Sequence, residues 1–557
     1  MLAAPIASTR RHRLVRRARG PRMRGQGHGT LAAATLALVA VGAMARAVQY
    51  SGERSLWLDE ALLVPAVHRS WLELLDPRTV GPTPPGFLWA TKALVTLLGD
   101  GESVLRALPF LGSLGALVAL AAPARRLLPP AGAVAAVAFA ALSPFLVYYA
   151  GEFKPYSTDV LAGTLVLWAV VKARRTRLWA QRPRAHVGAA LGALALVVCS
   201  FPAFLVLLGG VGALAWDARR RGDTVLARRL RPWAWATGVA LCLGLVVRAE
   251  LRDGNALMDY WRDGFWPLPP RSWAEVLWPL KAFLWLVREP FGLLVHKGSL
   301  VPHALALLVV IGAVTLARRR PFTAALLLGP LAAAWLAAAL RLYPLAGDWK
   351  WAGRVGLYLA PSIYLLAGAG VAGALGGRPR SAGRTAVALA LSAAVVLPMA
   401  AELVRILPYA RADWRAALTR VAAARRPGDV VFVHYDAAPL VRYYAPRLGL
   451  RPEEIVWGSC ARTRPDTYLR RFRALAARGG RVWVLMGEEP GVGGFPEQAL
   501  VRAYLEARGT VLARLDGRQV HVRLVDLHRP RRTFVLPALA LTARPGEGCT
   551  LWQPQRT

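Results

Sequence analysis

The sequence predicts a mostly α-helical protein, a polytopic bundle of transmembrane helices followed by an α/β domain outside the membrane. The 557-residue chain is 55% hydrophobic and 18% charged, with a mean hydropathy of +0.36. Apolar runs of about 20 residues, the length that crosses a bilayer as a helix, recur between Thr30 and Val404. After Glu402, short β-branched runs alternate with helical stretches, which is typical of an α/β domain.

The apolar runs predict about eleven transmembrane helices. The predicted spans are residues 30–49, 104–123, 131–149, 156–171, 185–200, 201–216, 232–248, 299–317, 321–340, 355–376 and 385–405. The apolar run that follows Pro84 is excluded, because a span there would move basic clusters to opposite sides of the membrane. We expect this run to form an amphipathic helix that lies in the outer membrane interface.

The formal net charge of +39 is concentrated between the apolar runs. The basic clusters are Arg10–Arg24, Arg125–Arg126, Lys172–Arg184, Arg219–Arg231, Arg318–Arg320 and Arg378–Arg384. This pattern indicates loops held in the cytoplasm by the positive-inside rule, and it excludes a nucleic-acid partner as the reason for the charge. We therefore expect a multi-pass protein of the inner (plasma) membrane, with a cytoplasmic N terminus and an extracytoplasmic C-terminal domain.

The predicted domains are a basic cytoplasmic segment (1–29), a transmembrane domain (30–408) with a first outer loop (50–103), and the α/β domain (409–557). Four runs predict strands in the last domain: "DVVFVHY", "RVWVLM", "TVLARL" and "VHVRLV". Residues 467–477 and 497–508 predict helices between them. Cys460 and Cys549 both lie in this domain, where an oxidising compartment permits a disulfide; the pairing stays open.

Charged residues cluster at the predicted outer surface. The stretch "SLWLDEALL" places Asp59 and Glu60 in the first outer loop among apolar neighbours, which favours a raised proton affinity and hence a general base. The alternative is a solvated pair or a helix cap. "YYAGEFKPYSTD" brings Glu152 and Lys154 to the same surface, and "RLYPLAGDWKWAGR" brings Lys350 and Arg354 there. Charges at membrane depth are costly and usually mark a site.

These groups suit a reaction on a lipid-borne phosphate. Lys154 and Arg354 are suited to neutralise a departing phosphate, and a carboxylate is suited to deprotonate an incoming hydroxyl. The sequence therefore predicts a polyprenyl-phosphate sugar donor and a glycan, lipid or protein acceptor at a membrane-lipid surface. A lipid-linked glycan ligase or polymerase, a transporter, and a sensor are the alternatives.

Several motifs resemble bacterial glycosyltransferases of the GT-C superfamily, in the family 39-like branch of protein O-mannosyltransferases and lipid A aminoarabinose transferases. The similar stretches are "SLWLDEALL", "GPTPPGFLWATKAL", "GESVLRALPFL", "LSPFLVYYAGEFKPYSTDVL" and "GRVGLYLAPSIYLLAG". The resemblance implies a GT-C-like bundle and an inverting transfer of a hexosyl or pentosyl group from a lipid-phosphate sugar.

By this resemblance Asp59 is the catalytic base, Glu60 its catalytic companion and Glu152 a second-loop acid. Lys154 and Arg354 become phosphate ligands, and the substrate-binding residues include Tyr156 and Trp57. Relatives that use lipid-monophosphate donors are expected to need no cofactor. Related oligosaccharyltransferases use a divalent metal, and Asp59, Glu60 and Glu152 form the corresponding candidate metal site.

Overall fold

A computed structural model describes residues 26–175, 183–250, 260–288, 301–347, 352–375, 382–460, 465–487 and 497–528. The predicted N-terminal segment 1–29 lies almost entirely outside these ranges, as do Lys350 and Cys549. Within the described ranges the chain forms a long helical bundle followed by a five-stranded sheet.

The bundle and its outer loops contain nineteen described helices. In chain order they are α1 (Gln26–Ser51), α2 (Leu58–Ala61), α3 (Val64–Val67), α4 (Pro77–Val80), α5 (Pro85–Leu98), α6 (Glu102–Leu127), α7 (Pro130–Leu142), α8 (Pro144–Ala150), α9 (Tyr156–Arg175), α10 (Pro183–Cys199), α11 (Ala203–Arg221), α12 (Thr224–Arg229), α13 (Arg231–Glu250), α14 (Trp273–Val276), α15 (Trp278–Arg288), α16 (Val301–Arg319), α17 (Pro321–Ala339), α18 (Ala360–Leu375) and α19 (Ala382–Ile406). Short 3-10 helices lie at Glu73–Leu75, Arg262–Gly264 and Ala352–Leu359.

Seven helical segments in the described ranges are long and apolar enough to cross a membrane. They are α1, α6, α13, α16, α17, α19 and the continuous segment Ala352–Leu375 that ends in α18. The pair α7 and α8 makes an eighth span, and α9, α10 and α11 lie at the three remaining predicted spans. The prediction of a mostly helical, polytopic membrane protein is confirmed. The 14-residue α5 reaches about 21 Å, too short for a span.

The third span bends by 52° between α7 and α8. Pro144 causes the break, because it has no N–H to donate to the carbonyl of Ala140. A guanidinium replaces that donor: Arg46 Nη2 donates to Ala140 O at 3.0 Å, and its Nη1 donates to Ala141 O at 3.1 Å. Arg46 Nε also donates to Ser113 Oγ at 2.8 Å, so a buried charge in α1 joins three helices.

Close helix packing in the bundle depends on small residues. A Cβ added to Gly312 of α16 would lie 1.9 Å from Leu366 O, and one added to Gly370 of α18 would lie 2.0 Å from Leu308 O. Only glycine fits at these two positions, because the backbones of the two helices touch. Membrane bundles commonly pack in this way, since lipid supplies no hydrophobic force between helices.

The C-terminal domain is a mixed sheet with helices. Its elements are α20 (Trp414–Ala424), β1 (Val430–Val433), α21 (Ala438–Tyr444), β2 (Ile455–Trp457), α22 (Pro465–Arg478), β3 (Arg481–Met486), α23 (Glu497–Arg508), β4 (Thr510–Gly517) and β5 (Val520–Asp526), with 3-10 helices at Tyr435–Ala437, Pro446–Leu448 and Pro452–Glu454. The strand order is β2-β1-β3-β5-β4. β1 pairs in parallel with β2 and β3, and β5 is antiparallel to β3 and β4.

The α/β domain agrees with the sequence prediction in its four predicted strands and two predicted helices. β2 was missed, because three residues are too few to show a period. Cys460 is disulfide-bonded. Its predicted partner, Cys549, lies outside the described residues.

The C-terminal domain docks on the first outer loop. Tyr444 of α21 accepts a hydrogen bond from the Leu56 N–H at 2.7 Å, and Arg415 forms an ion pair with Glu102 at 3.2 Å. Apolar residues of the loop and of the domain share one buried cluster that includes Leu56 and Trp414. The domain therefore stabilises the loop that carries the first acidic motif.

Candidate active site

A buried ion pair anchors the acidic motif of the first outer loop. Arg106 Nε donates to Glu60 Oε1 at 2.8 Å, and Arg106 Nη2 donates to Glu60 Oε2 at 2.7 Å. The Phe153 N–H donates to Glu60 Oε1 at 2.7 Å, and the Trp57 N–H to Oε2 at 3.2 Å. Protein donors therefore occupy both oxygens of Glu60, and its side chain is 1% exposed.

The same pair joins three segments of the chain. Arg106 begins the second span and also donates to the carbonyls of Arg54 at 2.8 Å and Ser55 at 3.1 Å. Burial alone would raise the pKa of Glu60, but the charge and hydrogen bonds of Arg106 outweigh it and hold this pKa below its ordinary value. Glu60 thus remains ionised and holds the first loop against α6 and against the loop that follows α8.

Asp59, the neighbour of Glu60 on α2, points toward a second cation. Its Oδ2 lies 3.7 Å from Arg354 Nη2, beyond hydrogen-bond distance, and its side chain is 29% exposed. Arg354 belongs to the buried 3-10 helix Ala352–Leu359 and donates through Nε to the Tyr156 hydroxyl at 3.1 Å. The Trp261 ring covers the guanidinium, with its centre 5.1 Å from the guanidinium carbon. The predicted residues Asp59, Tyr156 and Arg354 therefore meet.

Glu152 lies buried behind this group, in the loop between α8 and α9. Neither of its oxygens has a well-oriented hydrogen-bond partner among the described residues, although the Tyr148 hydroxyl and the Arg411 guanidinium are close. Burial raises the pKa of Glu152 to about 7; the Arg411 charge opposes this rise and the Glu60 charge adds to it. A carboxyl with this pKa exchanges its proton near neutral pH.

Lys154 follows in the same short loop and is partly buried. Burial lowers the pKa of its ammonium group, while the charges of Asp59 and Glu152 act in the opposite direction. Lys154 is therefore within electrostatic reach of both carboxylates. The structure brings together the predicted groups Asp59, Glu152, Lys154 and Arg354.

Trp57 is placed differently from its predicted role in substrate binding. Its side chain is buried at 6% exposure, and the guanidinium carbon of Arg411 lies 3.3 Å from the centre of its ring. This face of the indole is covered by protein. Trp57 therefore stacks on Arg411, a cation of the segment that leads into the C-terminal domain.

Sequence reasoning missed Arg106, Arg411 and Trp261. A signal existed for Arg106, because a charge inside a membrane span usually has a functional or structural partner. Arg411 and Trp261 lie in polar loops, where charged and aromatic residues are common. Only the fold places them next to Glu152 and Arg354.

Of the three candidate metal ligands, the structure ties up Glu60 most tightly. No group of three His, Cys, Asp or Glu side chains in the described ranges is arranged to hold a metal ion. Of the three candidate ligands, Glu60 already accepts from Arg106 through both oxygens, and Asp59 faces Arg354. Glu60 is therefore not available as a metal ligand, whereas the oxygens of Glu152 have no well-oriented hydrogen-bond partner among the described residues.

Comparisons with known proteins agree with the motif resemblance. Residues 82–248 match the sequence profile of the family described as dolichyl-phosphate-mannose-protein mannosyltransferase. The matched range includes Glu152, Lys154 and Tyr156 but not Asp59 or Arg354, and it is less than a third of the chain. The predicted resemblance to this family is confirmed. No curated protein sequence matches the chain significantly.

Two solved structures show a similarity of fold over most of this chain. An oligosaccharyltransferase of Archaeoglobus fulgidus, in complex with Zn and sulfate, is 16% identical and has a TM-score of 0.49; the similarity covers 81% of this chain and 67% of that one. ArnT of Cupriavidus metallidurans, bound to undecaprenyl phosphate, is 14% identical with a TM-score of 0.47, over 90% of this chain and 98% of that one.

We expect Glu60→Gln to destabilise the folded protein by about 3–5 kcal/mol, because it leaves the buried Arg106 charge without compensation. Denaturant unfolding of the purified protein in detergent measures this loss. Glu73→Gln is the matched control: it neutralises an exposed glutamate of the same loop, which is paired with Arg69 at 3.5 Å, and should cost much less. Equal losses in the two variants would contradict the anchoring role of Glu60.

Because Glu152 is buried, we expect the free energy of unfolding to depend on pH. The folded carboxyl, with a pKa of about 7, binds its proton more tightly than the unfolded one, whose pKa is 4.5. This contribution is complete below pH 4.5 and is lost as the pH rises to about 7. Glu152→Gln should therefore stabilise the protein by about 1–3 kcal/mol at pH 8 and have little effect at pH 4.5. Melting temperatures across this range test it.

Glu506→Gln, which neutralises an exposed glutamate of the C-terminal domain, controls for the loss of one carboxylate. It should leave the pH profile of the wild type unchanged. A Glu152→Gln profile parallel to that of the wild type would show that Glu152 titrates normally.

Proposed function

We propose that the chain is a membrane glycosyltransferase that moves a sugar from a polyprenyl-phosphate donor to an acceptor hydroxyl on the outer face of the membrane. The observation that carries this proposal is the convergence of Asp59, Glu152, Lys154 and Arg354 from three different outer loops. Carboxylates and cations gathered at a membrane surface suit a reaction that deprotonates a hydroxyl and releases a phosphate.

The cations provide a site for the leaving group. Lys154 lies within electrostatic reach of Arg354, and the Arg354 guanidinium donates to the Tyr156 hydroxyl and stacks on the Trp261 ring. A guanidinium binds phosphate oxygens through two parallel N–H donors. The phosphate of the donor would therefore lie against Arg354 and Lys154, with the isoprenoid tail in the surrounding lipid.

Asp59 is the proposed general base. Its carboxylate is the most exposed among the predicted acids, and its contact with Arg354 is loose at 3.7 Å. When phosphate pairs with the Arg354 guanidinium, the Asp59 carboxylate is left free to accept a hydrogen bond from the acceptor hydroxyl. The acceptor hydroxyl gives its proton to Asp59 as its oxygen bonds to the anomeric carbon, and polyprenyl phosphate leaves from the opposite face with the electron pair. The sugar is transferred with inversion.

Glu60 and Glu152 have supporting roles in this mechanism. Glu60 is a positioning residue, because its two oxygens are occupied by Arg106 and backbone N–H groups. The buried Glu152 interacts electrostatically with both Arg411 and Lys154. Its ionisation state sets how much positive charge remains for the phosphate.

The match of residues 82–248 to a dolichyl-phosphate-mannose-dependent family supports a lipid-phosphate sugar as donor. The proposed sidedness rests on the basic clusters at the opposite helix ends, which the positive-inside rule assigns to the cytoplasm. The site and the C-terminal domain would then lie outside the cytoplasm.

We expect Asp59→Asn to lower the turnover of labelled polyprenyl-phosphate sugar by about 10²–10⁴-fold, the usual contribution of a general base. The change is nearly isosteric and removes only basicity. Transfer of label from the donor, measured with the variant in native membranes, tests it. Asp76→Asn is the control, because Asp76 is a helix cap in the same loop and asparagine caps equally well. Unchanged turnover in Asp59→Asn would exclude this base.

Arg354→Gln should weaken binding of undecaprenyl phosphate by about tenfold to a hundredfold, because one charged hydrogen-bonding group to the phosphate is lost. This product-like lipid makes the measurement independent of the sugar. Arg271→Gln removes an exposed arginine from another outer segment and controls for net charge. Equal affinities for Arg354→Gln and the wild type would remove Arg354 from the phosphate site.

A further inference from the structure

A second polar cavity lies at the opposite ends of the helices that carry the candidate active site. It has a volume of about 450 Å³ and is bounded by the ends of α6, α9, α11 and α16 and the start of α17. Six arginines line it: Arg126, Arg174, Arg220, Arg221, Arg319 and Arg320. Among the described residues that line it, Asp217 is the only acidic one.

The position of this cavity follows from helix geometry. α6 carries Arg106 near its start and Arg126 near its end, and twenty residues of helix span about 30 Å. α9 likewise has Tyr156 at its start and Arg174 near its end. The arginine cavity is therefore separated from the candidate active site by about the thickness of the hydrocarbon core, roughly 30 Å. It lies at the headgroup level of the other leaflet.

Intramolecular contacts use only part of the positive charge. Asp217 accepts from Arg174 Nε at 2.8 Å and from Arg221 Nε at 3.1 Å, and Arg320 donates to Leu127 O at 2.7 Å. Arg126 and Arg319 are exposed and have no hydrogen bond or ion pair among the described residues. The cavity thus presents a surplus of guanidinium groups without a protein counter-charge.

Two further features favour an anion in this cavity. Pro321, Phe322 and Thr323 line it as the first turn of the 19-residue α17, whose N terminus attracts negative charge. The guanidinium of Arg174 stacks on the Phe322 ring, with 4.0 Å between the guanidinium carbon and the ring centre, which holds it in place. Trp216, 42% exposed beside Arg220, is typical of the membrane interface.

We propose that this cavity binds the phosphodiester headgroup of an anionic glycerophospholipid from the adjacent leaflet, which the positive-inside rule makes the cytoplasmic one. Guanidinium groups recognise phosphate oxygens through paired N–H donors, and basic pockets between transmembrane helices are suited to anionic lipid headgroups. A lipid is favoured over a free phosphate because the cavity lies at the ends of long apolar helices, with the exposed Trp216 beside Arg220 at the same level.

The competing explanation is that these arginines only complement helix C termini and orient the protein. That explanation applies equally to Arg125 and Arg318, which neighbour Arg126 and Arg319 on the same helix ends but do not line the cavity. The two pairs carry the same charge at nearly the same depth. Substitution of each pair therefore distinguishes a specific lipid site, which needs Arg126 and Arg319, from a basic surface, to which all four arginines contribute equally.

The test is a titration of the purified full-length protein with phosphatidylglycerol in detergent, with bound lipid counted by native mass spectrometry. The double variant Arg126→Gln and Arg319→Gln should raise the apparent dissociation constant by about tenfold or more, since each cation near an anionic headgroup contributes about tenfold or somewhat less. The matched double variant Arg125→Gln and Arg318→Gln should bind phosphatidylglycerol like the wild type.

A second arm separates the possible sources of the phosphate. Inorganic phosphate, added to protein loaded with phosphatidylglycerol, should not displace the lipid at equal concentration. The single variant Arg319→Glu, which alters one exposed side chain, should weaken lipid binding while leaving the melting temperature unchanged. The proposal is overturned if both double variants lose affinity equally, if neither does, or if inorganic phosphate competes as well as the lipid.

Discussion

The candidate active site depends on one buried ion pair, between Glu60 and Arg106. Two charges at a membrane boundary are stable only when each satisfies the other, and here the carboxylate also accepts backbone N–H groups from its own loop and from Phe153. The pair therefore fixes the distance between two loops that are 93 positions apart in the chain. The neighbouring Asp59 and Glu152 converge because of this connection.

Cations and carboxylates of the described residues alternate around Asp59. Arg354 lies 3.7 Å from Asp59 and stacks on the Trp261 ring. Glu152 is buried, and burial raises its pKa to about 7. Such a cluster favours the binding of an anion. The protein can also fold before that anion is bound. Arg411, which stacks on Trp57 directly before the C-terminal domain, extends the cluster to the segment where that domain docks on the first loop. The C-terminal domain and the candidate site are thus joined by direct side-chain contacts.

The bilayer explains why polar clusters occupy both ends of the bundle. Between Arg106 and Arg125, α6 has only apolar and small residues apart from one serine, the buried Ser113, which accepts a hydrogen bond from Arg46. A helix of this kind can present ionisable groups at two faces about 30 Å apart at little cost, because only its ends reach the headgroups. One set of helices therefore carries a carboxylate and cation cluster on one side and an arginine cavity on the other.

The amino-acid sequence by itself determined the features that depend on local patterns. Apolar length predicted the membrane helices, arginine clusters distinguished the two faces, and alternating β-branched runs predicted β1, β3, β4 and β5, because each of these signals lies within one continuous segment. The sequence also indicated which outer loops carry reactive side chains. The motif resemblance assigned the base to Asp59 and the companion role to Glu60, but the local pattern alone did not distinguish them, since adjacent residues share the same local environment. The tertiary structure made that distinction by directing Glu60 to Arg106 and Asp59 to Arg354, and it alone brought Arg411 and Trp261 to the site. Burial and ion pairing depend on groups that are distant in sequence, so only the folded chain decides them.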